Sequence, residues 1–478
     1  MSAQFPTRLY IDGEWVSADD TFDVINPATE EVLARVHSAT PAHALRALDA
    51  ASRAQADFAA WTPRQRADLL YEIYERVIER ADEFAQCMSA EMGKPLDQAR
   101  SEVTYGAEFL RWHAEEAAHL RGSYFPTPEG TLDVLLHRRP IGPCLLITPW
   151  NFPLAMATRK LAPALAAGCT TILKPASLTP LTSALLVSII DEAGAPAGVV
   201  NLLPSKRAAD ISSQLLADPR LRKVSFTGST KAGSALIAAS APNVQRCSME
   251  LGGLAPFIVH ADADLETAID AAVATKMRNM GQACNAASRF FVHDSLLTRF
   301  TEGLIERMSQ LTMGDGRDSV DVGPLVSRQH RRSVDDLVRR GIEAGGRLAL
   351  GGKIPAGTGF FYPPTVITHC AFDNPLMNEE VFGPVAAIAA FSDDEEVTRA
   401  ANATSFGLAG YVHTTSPARI RAAIERLEVG MIGINSATTS NAASPFGGVK
   451  ASGLGREGGP SGIDEYLETI AVATPRVE

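Results

Sequence analysis

The sequence predicts an α/β protein built around parallel sheets, and two observations support this fold class. From Ile141 onward, short apolar runs alternate with alanine-rich amphipathic segments, which is typical of parallel strands covered by helices. The first such runs are CLLIT (144–148), TTIL (170–173), VVNLL (199–203) and KVSF (223–226). In addition, 478 residues are too many for one hydrophobic core, so two or three domains are expected.

The elements on either side of this region follow in order. Residues 8–36 read as short strands with a turn at Asp12-Gly13, and residues 41–120 show apolar positions at helical spacing. Gly93-Lys94-Pro95 interrupts that helical pattern. The strand–helix alternation resumes with the apolar runs PFIVH and FFVH after the Gly252-Gly253 pair, which predicts a domain division near 250–255.

Charge and composition exclude several classes of function. The net charge is −11 and there is no long basic run, which argues against nucleic acid or an anionic membrane surface as a partner. The longest uncharged stretch, Pro140 to Thr158, contains four prolines and would not form a membrane helix. The first residues show no secretory signal pattern, so a cytoplasmic protein is expected.

Six widely spread cysteines contain no CxxC pair, so neither a zinc site nor a disulfide framework is expected, and no metal is predicted. Most of them should be buried as small apolar residues. One, Cys284, stands among small residues in GQACNAASRF (281–290), where room around the sulfur would suit a nucleophile as well as a buried thiol.

A parallel sheet suggests a nucleotide ligand, but the Gly-x-Gly-x-x-Gly fingerprint of dinucleotide-binding proteins is absent. The run KVSF is followed instead by TGSTKAG, with glycines at 228 and 233. A Gly-Ser turn that opens a helix can still offer backbone N–H groups to a phosphate, although a plain strand–helix turn has the same pattern.

Seven short motifs occur together in one order: TPWNFP (148–153), KPAS (174–177), FTGST (226–230), ELGG (250–253), GQAC (281–284), EVFGP (380–384) and PFGGVKASGLGREGG (445–459). With these motifs the chain resembles the aldehyde dehydrogenase superfamily, from IDGEWV (11–16) to the C-terminal region. The resemblance implies an aldehyde dehydrogenase-like fold: a Rossmann-type cofactor domain, an α/β catalytic domain and a small β oligomerisation piece.

The resemblance implies three catalytic residues. Cys284 matches the nucleophile, whose thiolate attacks the aldehyde carbonyl. Glu250 matches the general base that activates water to hydrolyse the thioester, and Asn151 matches the residue that stabilises the oxyanion together with the backbone N–H of Cys284. Ala286 stands where some semialdehyde dehydrogenases carry a second cysteine, so a redox disulfide with that position is excluded.

The resemblance also implies the residues that hold a nicotinamide dinucleotide, and these are Ile147, Trp150, Lys174, Ser177, Gly228, Ser229, Glu380 and Phe382. Members that prefer NAD often have Glu where this chain has Ser177, and a Glu there would repel the additional phosphate of NADP. With Ser177, and with Lys174 nearby to pair with phosphate, NADP is favoured and NAD is expected to be usable. Lys206-Arg207 could lie near the same edge or in an exposed loop.

Three further positions match the residues that hold the distal carboxylate in succinate semialdehyde dehydrogenases: Arg159, Arg278 and Ser440. Two guanidinium groups and a hydroxyl could bind a carboxylate through charge-assisted hydrogen bonds, although either arginine could instead form a structural ion pair. Oxidation of succinate semialdehyde is therefore expected. Glutarate semialdehyde or a broader range of aldehydes is the alternative, since one methylene changes binding by only ~1–3 kcal/mol.

The implied domains are a dinucleotide-binding domain (1–121 and 141–252), a catalytic domain (253–445) and oligomerisation segments (122–140 and 446–478). The run TLDVLLH would be an exposed edge strand in a monomer, so a homodimer or homotetramer is expected. Leu254 and Asn285 depart from the residues common in the family at those positions. A binding protein without turnover is disfavoured, because it would need no nucleophile and base.

Overall fold

The computed structural model describes residues 5–476. Residues 1–4 and 477–478, which belong to the predicted dinucleotide-binding and oligomerisation segments, lie outside the described residues. Within the described chain the strands are β1 Leu9–Ile11, β2 Glu14–Val16, β3 Thr21–Ile25, β4 Val32–His37, β5 Ser123–Pro126, β6 Leu132–Pro140, β7 Cys144–Ile147, β8 Thr171–Lys174, β9 Val200–Leu202, β10 Lys223–Thr227, β11 Arg246–Glu250, β12 Ala255–Val259, β13 Ala287–His293, β14 Arg347–Leu350, β15 Thr365–Thr368, β16 Val385–Phe391, β17 Ala409–His413, β18 Met431–Ile434, β19 Gly453–Leu454 and β20 Leu467–Pro475.

The α-helices of the same residues are α1 Pro41–Ala59, α2 Pro63–Glu79, α3 Ala81–Met92, α4 Leu96–Ala118, α5 Ala155–Ala167, α6 Leu181–Glu192, α7 Ala208–Leu216, α8 Thr230–Ser240, α9 Leu265–Met277, α10 Leu297–Ser309, α11 Arg328–Glu343, α12 Pro375–Asn378, α13 Asp394–Asn402 and α14 Pro417–Arg426. No helix among residues 5–476 is both long and apolar enough to span a membrane.

The first sheet has the strand order β19-β11-β10-β7-β8-β9-β1-β2. Its five central strands, β11 to β9, run parallel, whereas β1, β2 and β19 pair antiparallel at the edges. The predicted Asp12-Gly13 turn joins β1 to β2, and both of its residues have positive φ, 59° and 81°. The predicted α/β class is therefore confirmed, and its apolar runs are the buried parallel strands.

The second sheet has the order β14-β15-β16-β13-β12-β17-β18 and is parallel except for β14. It begins at Ala255, immediately after the Gly252-Gly253 pair. Each of the two sheets has a large hydrophobic core of its own, so the alternation in the sequence corresponds to two separate packing units.

A third, antiparallel sheet has the order β20-β6-β5 and joins the segment after α4 to the C-terminal strand. β6 and β20 pair over their full length, from Leu467 opposite Pro140 to Pro475 opposite Leu132. All four residues of β5 are exposed, including Tyr124 and Phe125. The prediction that TLDVLLH forms an exposed edge strand is wrong, because this run is β6 and pairs with β20 on one side and β5 on the other. The exposed strand at the edge of the sheet is β5.

The carboxyl ends of the parallel strands position the candidate site. β7 ends at Ile147, just before the Trp150-Asn151 segment, β8 ends at Lys174 and β11 ends at Glu250. Ligands of open α/β sheets bind beyond these carboxyl ends. The turn that carries Cys284 approaches from the second sheet, because it immediately precedes β13.

Candidate active site

A cleft of about 210 Å³ lies where the two sheets meet. Ten of the predicted residues line it, namely Trp150, Asn151, Arg159, Gly228, Ser229, Arg278, Cys284, Glu380, Phe382 and Ser440. Four do not line it, namely Ile147, Lys174, Ser177 and Glu250. The structure thus brings together on one surface the predicted nucleophile, oxyanion donor, carboxylate-binding residues and part of the cofactor set.

Cys284 is half-buried in a turn that the N–H of Ala286 closes by donating to the carbonyl of Ala283 at 3.0 Å. The turn packs closely on the glycine pair before the second sheet, since a Cβ on Gly253 would lie 2.3 Å from the Cys284 carbonyl. Burial raises the pKa of the Cys284 thiol to about 12, and the nearby Arg159 cation only partly opposes this. The resting sulfur is therefore a protonated thiol that must lose its proton to react.

The approach to this turn has an uncommon backbone conformation. Asn279, Met280 and Gly281 are all left-handed, with φ of 53°, 56° and 69°. Gly281 has no room for a side chain, because a Cβ there would lie 2.1 Å from the Gly383 carbonyl. This contact holds the Cys284 turn against the loop that carries Glu380 and Phe382, two of the predicted cofactor residues.

Asn151 lies beside Cys284 and is buried. Its side-chain amide donates one hydrogen bond to the carbonyl of Gln282 at 3.0 Å, which orients the amide toward the Cys284 turn. A primary amide carries two N–H donors, so one remains for a substrate oxygen in the cleft. This is the arrangement that an oxyanion donor requires.

Glu250 ends β11 and lies behind the cleft wall rather than on it. It pairs in register with Thr227, which does line the cleft, and one of its carboxylate oxygens has no hydrogen-bond partner among the described residues. Burial raises the pKa of this carboxyl well above its ordinary value, and the neighbouring Glu457 raises it further. A carboxyl with a raised pKa is suited to accept a proton near neutral pH.

The sequence did not identify the buried charges behind Glu250. Lys160 forms an ion pair with Glu457 and donates to the Ser225 hydroxyl at 3.0 Å, and Lys160 has no solvent exposure. Helical periodicity places Lys160 in α5 without marking it as functional. Lys160 differs from an ordinary helix lysine only because every residue of α5 is buried, so its charge is enclosed by the protein.

The three predicted carboxylate-binding residues converge on one end of the cleft, together with Tyr105, which the sequence missed. Arg159 donates to the Tyr105 hydroxyl, and this hydroxyl hydrogen-bonds to Ser440. Arg159 lies 3.9 Å from a carboxylate oxygen of Glu457, so the ion pair considered from the sequence exists as a long contact. Arg278 packs on the Phe152 ring at 4.8 Å and has no carboxylate partner among the described residues.

The cofactor residues form two groups. Gly228 and Ser229 directly precede α8, and the Ser229 hydroxyl caps the N-terminus of this helix. Trp150 and Phe382 pack edge to face at 5.4 Å. Lys174 is the last residue of β8, Ser177 follows it, and neither lines this cleft. Burial lowers the pKa of Lys174 to about 8. Lys206 and Arg207 form exposed ion pairs with Asp20 and Asp210 instead of facing these residues.

The residues present fit a dinucleotide. The open end of α8 offers backbone N–H groups for a pyrophosphate, and the Thr227 hydroxyl beside it is buried without a partner among the described residues. Glu380 accepts a hydrogen bond from the N–H of Gly253 at 3.2 Å, and burial raises its pKa to about 7. A Cβ on residue 252 would lie only 3.0 Å from the second carboxylate oxygen of Glu380. Because residue 252 is glycine, this oxygen stays accessible for a ribose hydroxyl.

The chain is similar to known proteins over nearly its whole length. Residues 15–472 match the model of the aldehyde dehydrogenase family. A succinate-semialdehyde dehydrogenase of Paenarthrobacter nicotinovorans is 50% identical over 93% of this chain and 99% of its own length. A second relative, from Escherichia coli, bears the name succinate-semialdehyde dehydrogenase (NADP⁺) GabD, and it is 41% identical over 97% of each chain.

Among solved structures, a succinate-semialdehyde dehydrogenase of Burkholderia pseudomallei superposes with a TM-score of 0.97 at 41% identity, covering 99% of this chain and 98% of that one. The chain is therefore matched over more than nine-tenths of its length in sequence and over 99% of it in structure. By both measures, this chain belongs to the aldehyde dehydrogenase family.

Proposed function

We propose that this protein oxidises succinate semialdehyde to succinate with NADP⁺, and that it can also use NAD⁺. The observation that carries the proposal is the cationic end of the cleft, where Arg278 has no carboxylate partner among the described residues while facing the same space as Cys284. Arg278 is half-buried, and a partly desolvated guanidinium without an anion is well suited to bind a substrate carboxylate by charge-assisted hydrogen bonds. Arg159, Tyr105 and Ser440 add further hydrogen-bonding groups to that end.

Binding the carboxylate at this end directs the aldehyde of a short substrate toward Cys284. The thiol passes its proton to a water molecule in the cleft, and the sulfur attacks the carbonyl carbon. The carbonyl π electrons move to the oxygen, which gives a thiohemiacetal oxyanion. The side-chain N–H of Asn151 and the backbone N–H of Cys284 stabilise the negative charge on that oxygen. Hydride then leaves the former aldehyde carbon, for which a bound nicotinamide would supply the acceptor, and a thioester on Cys284 remains.

Water then hydrolyses this thioester, with Glu250 as the base. The carboxylate takes a proton from the water as its oxygen attacks the acyl carbon, and the Cys284 thiolate is the leaving group. Glu250 lies behind the cleft wall, so its side chain must turn toward Thr227 to reach this water. The products are succinate and the free enzyme.

We assign the dinucleotide to the carboxyl ends of β7, β8 and β10. Gly228 and Ser229 would hold the pyrophosphate, Glu380 would hold the nicotinamide ribose, and Lys174 would hold the adenosine ribose. NADP⁺ is favoured because Ser177 places no negative charge beside the position of the 2′-phosphate.

The cysteines bear on the predicted localisation. All six lie in the described part of the chain and form no disulfide, which is consistent with the reducing cytoplasm that the sequence predicts.

The oligomeric state also stays a prediction. The open apolar edge of β5, with Tyr124 and Phe125 exposed, supports a homodimer or homotetramer that covers it. The predicted domain boundaries likewise stay proposals, supported by the start of the second sheet at Ala255.

The substrate proposal is tested by comparing kcat/KM for succinate semialdehyde with that for butyraldehyde, which has the same length and no carboxylate. Arg278→Ala should lower kcat/KM for the semialdehyde about 30-fold, the effect of losing roughly 2 kcal/mol from a charge-assisted hydrogen bond, and should leave butyraldehyde within about twofold. Arg328→Ala, an exposed arginine paired with Glu30, is the matched control and should change neither substrate. Equal wild-type rates with both aldehydes would rule out the semialdehyde assignment.

The cofactor proposal is tested at Ser177. Ser177→Glu should place a carboxylate beside the 2′-phosphate position and lower kcat/KM for NADP⁺ at least tenfold, while NAD⁺ changes little or improves. Initial rates with both cofactors at saturating aldehyde provide the measurement, and Ser177→Gln controls for side-chain size. An unchanged NADP⁺-to-NAD⁺ ratio in Ser177→Glu would contradict the assignment of this residue.

A further inference from the structure

We propose that Lys94 and Glu102 are positioning residues that hold the Asn151 amide in place beside Cys284. The proposal rests on the proposed function, in which Asn151 stabilises the oxyanion. Neither residue lines the cleft, so any effect on the reaction must pass through the segment that they bind. That segment, residues 151–155, comprises the last part of the connection between β7 and α5 and the first residue of α5, and Asn151 is its first residue.

The segment has backbone groups that need partners. Residue 154 stands at the N-cap of α5, and this leucine has no side chain that could accept hydrogen bonds from the first turn of the helix. The Asn151 carbonyl at the other end of the segment is buried. Buried groups of this kind must be satisfied from elsewhere in the fold.

Glu102, from α4, satisfies the helix end. One of its carboxylate oxygens accepts the N–H of Leu154 at 3.0 Å and the N–H of Ala155 at 3.2 Å. The carboxylate thus caps α5 from a different helix, and its charge is favourable at the positive end of the helix dipole. α5 cannot shift along its axis without breaking these two bonds.

Lys94 satisfies the other end. Its ammonium donates to the Asn151 carbonyl at 2.9 Å, forms an ion pair with the second oxygen of Glu102, and lies 4.2 Å from the centre of the Phe152 ring. The pair therefore binds the segment at residues 151, 154 and 155 simultaneously. Asn279 donates a second hydrogen bond to the Asn151 carbonyl at 2.9 Å, which links the same point to the Cys284 turn.

Because Lys94 and Glu102 are charged and not apolar, we infer that they position the Asn151 segment as well as stabilise the fold. Both side chains are 1% exposed, and apolar residues of similar size commonly stabilise a fold as well as a buried ion pair does. Apolar residues, however, form no hydrogen bonds, so they cannot hold two backbone N–H groups and a carbonyl in fixed orientations. An oxyanion donor must be placed to within about 0.5 Å, so such fixing has a direct catalytic consequence.

The test is a double-mutant cycle between Glu102→Gln and Asn151→Ala, with kcat and KM measured on succinate semialdehyde. Asn151→Ala should lower kcat about 100-fold. Glu102→Gln should lower kcat about tenfold in the wild-type background, with KM within about twofold, and should cause no further loss in the Asn151→Ala background. Alkylation of Cys284 by iodoacetamide, which forms no oxyanion, should keep its wild-type rate in Glu102→Gln.

Glu91→Gln is the matched control. Glu91 is equally buried and caps α6 in the same manner, accepting the N–H of Leu181 at 2.8 Å and of Thr182 at 2.9 Å, but it does not touch residues 151–155. It should lower Tm about as much as Glu102→Gln and leave kcat unchanged. If Glu102→Gln does not fold, Lys94→Met/Glu102→Gln removes both charges together and is expected to show the same non-additive loss.

Additive losses in the double variant, or equal losses of kcat in Glu91→Gln and Glu102→Gln, would overturn the positioning role while leaving the proposed function intact. A wild-type kcat in Asn151→Ala would instead overturn the oxyanion role of Asn151 in the proposed function, and the positioning role with it.

Discussion

Cys284→Ala is expected to abolish NADPH formation from succinate semialdehyde. Alanine has no nucleophile, so the thiohemiacetal from which the hydride leaves cannot form. The loss should be on the order of 10⁶-fold in kcat, the size found when a protease loses its nucleophile. Removal of the sulfur also leaves the carboxylate-binding end of the cleft unchanged, so the variant should still bind the aldehyde.

The variant is checked by initial rates of NADPH formation and by equilibrium binding of NADP⁺, which should be retained. Cys247→Ala is the matched control, because Cys247 is also half-buried but lies in β11 beside Ser240, outside the cleft. It should keep the wild-type rate. Oxidation at more than a small fraction of the wild-type rate in Cys284→Ala would show that the reaction needs no covalent intermediate.

Glu250→Gln is expected to lower steady-state kcat about 10³-fold while leaving the first turnover fast. Glutamine has almost the same volume beside Gly447 but cannot take a proton from water, so the thioester on Cys284 should accumulate. Rapid mixing should show a burst of one NADPH per active site followed by a slow phase. Mass spectrometry of the quenched enzyme should find the acyl group on Cys284.

The pH dependence follows from the direction of the pKa shift at Glu250. Burial raises its pKa well above the ordinary carboxyl value, and the group acts as a base only when ionised. Hydrolysis of the thioester should therefore speed up as the pH rises through this raised pKa and slow down below it. Glu250→Gln should lose that pH-dependent limb.

Glu91→Gln is again the control, since burial raises the pKa of Glu91 to about 7 at a position away from the cleft. This variant should show no burst and an unchanged pH profile. A Glu250→Gln enzyme that turns over at the wild-type rate without a burst would assign the water-activating role to another group.

Most of the fold could be predicted because strand–helix alternation is local. The apolar runs after Ile141 became buried parallel strands, and the Gly252-Gly253 pair precedes the second sheet. The short strand β19 could not be predicted. Its two residues, Gly453 and Leu454, have no strand pattern and pair with β11 only because the chain returns to that edge.

The candidate site likewise contains some residues that motifs predict and others whose place only the structure reveals. Motifs named Cys284 and Asn151, and the structure places both on the cleft. Tyr105 carries no such motif, because it is one aromatic residue in an amphipathic helix and gains its position only from contact with Arg159 and Ser440. Glu250 was also named by its motif, but its place behind the cleft wall depends on the packing of β11.

For this protein, the sequence by itself determined the α/β class and the family, and it predicted the reacting groups, because each of these depends on residue types within short stretches of chain. Only the tertiary structure decided which charges share a site. Within residues 5–476, Arg278 has no acidic partner and packs on the Phe152 ring. Lys94 and Glu102 bind the Asn151 segment through contacts between elements that are far apart in sequence. Burial raises the pKa of both Cys284 and Glu250, since the cost of desolvating a charge depends on the whole surrounding fold.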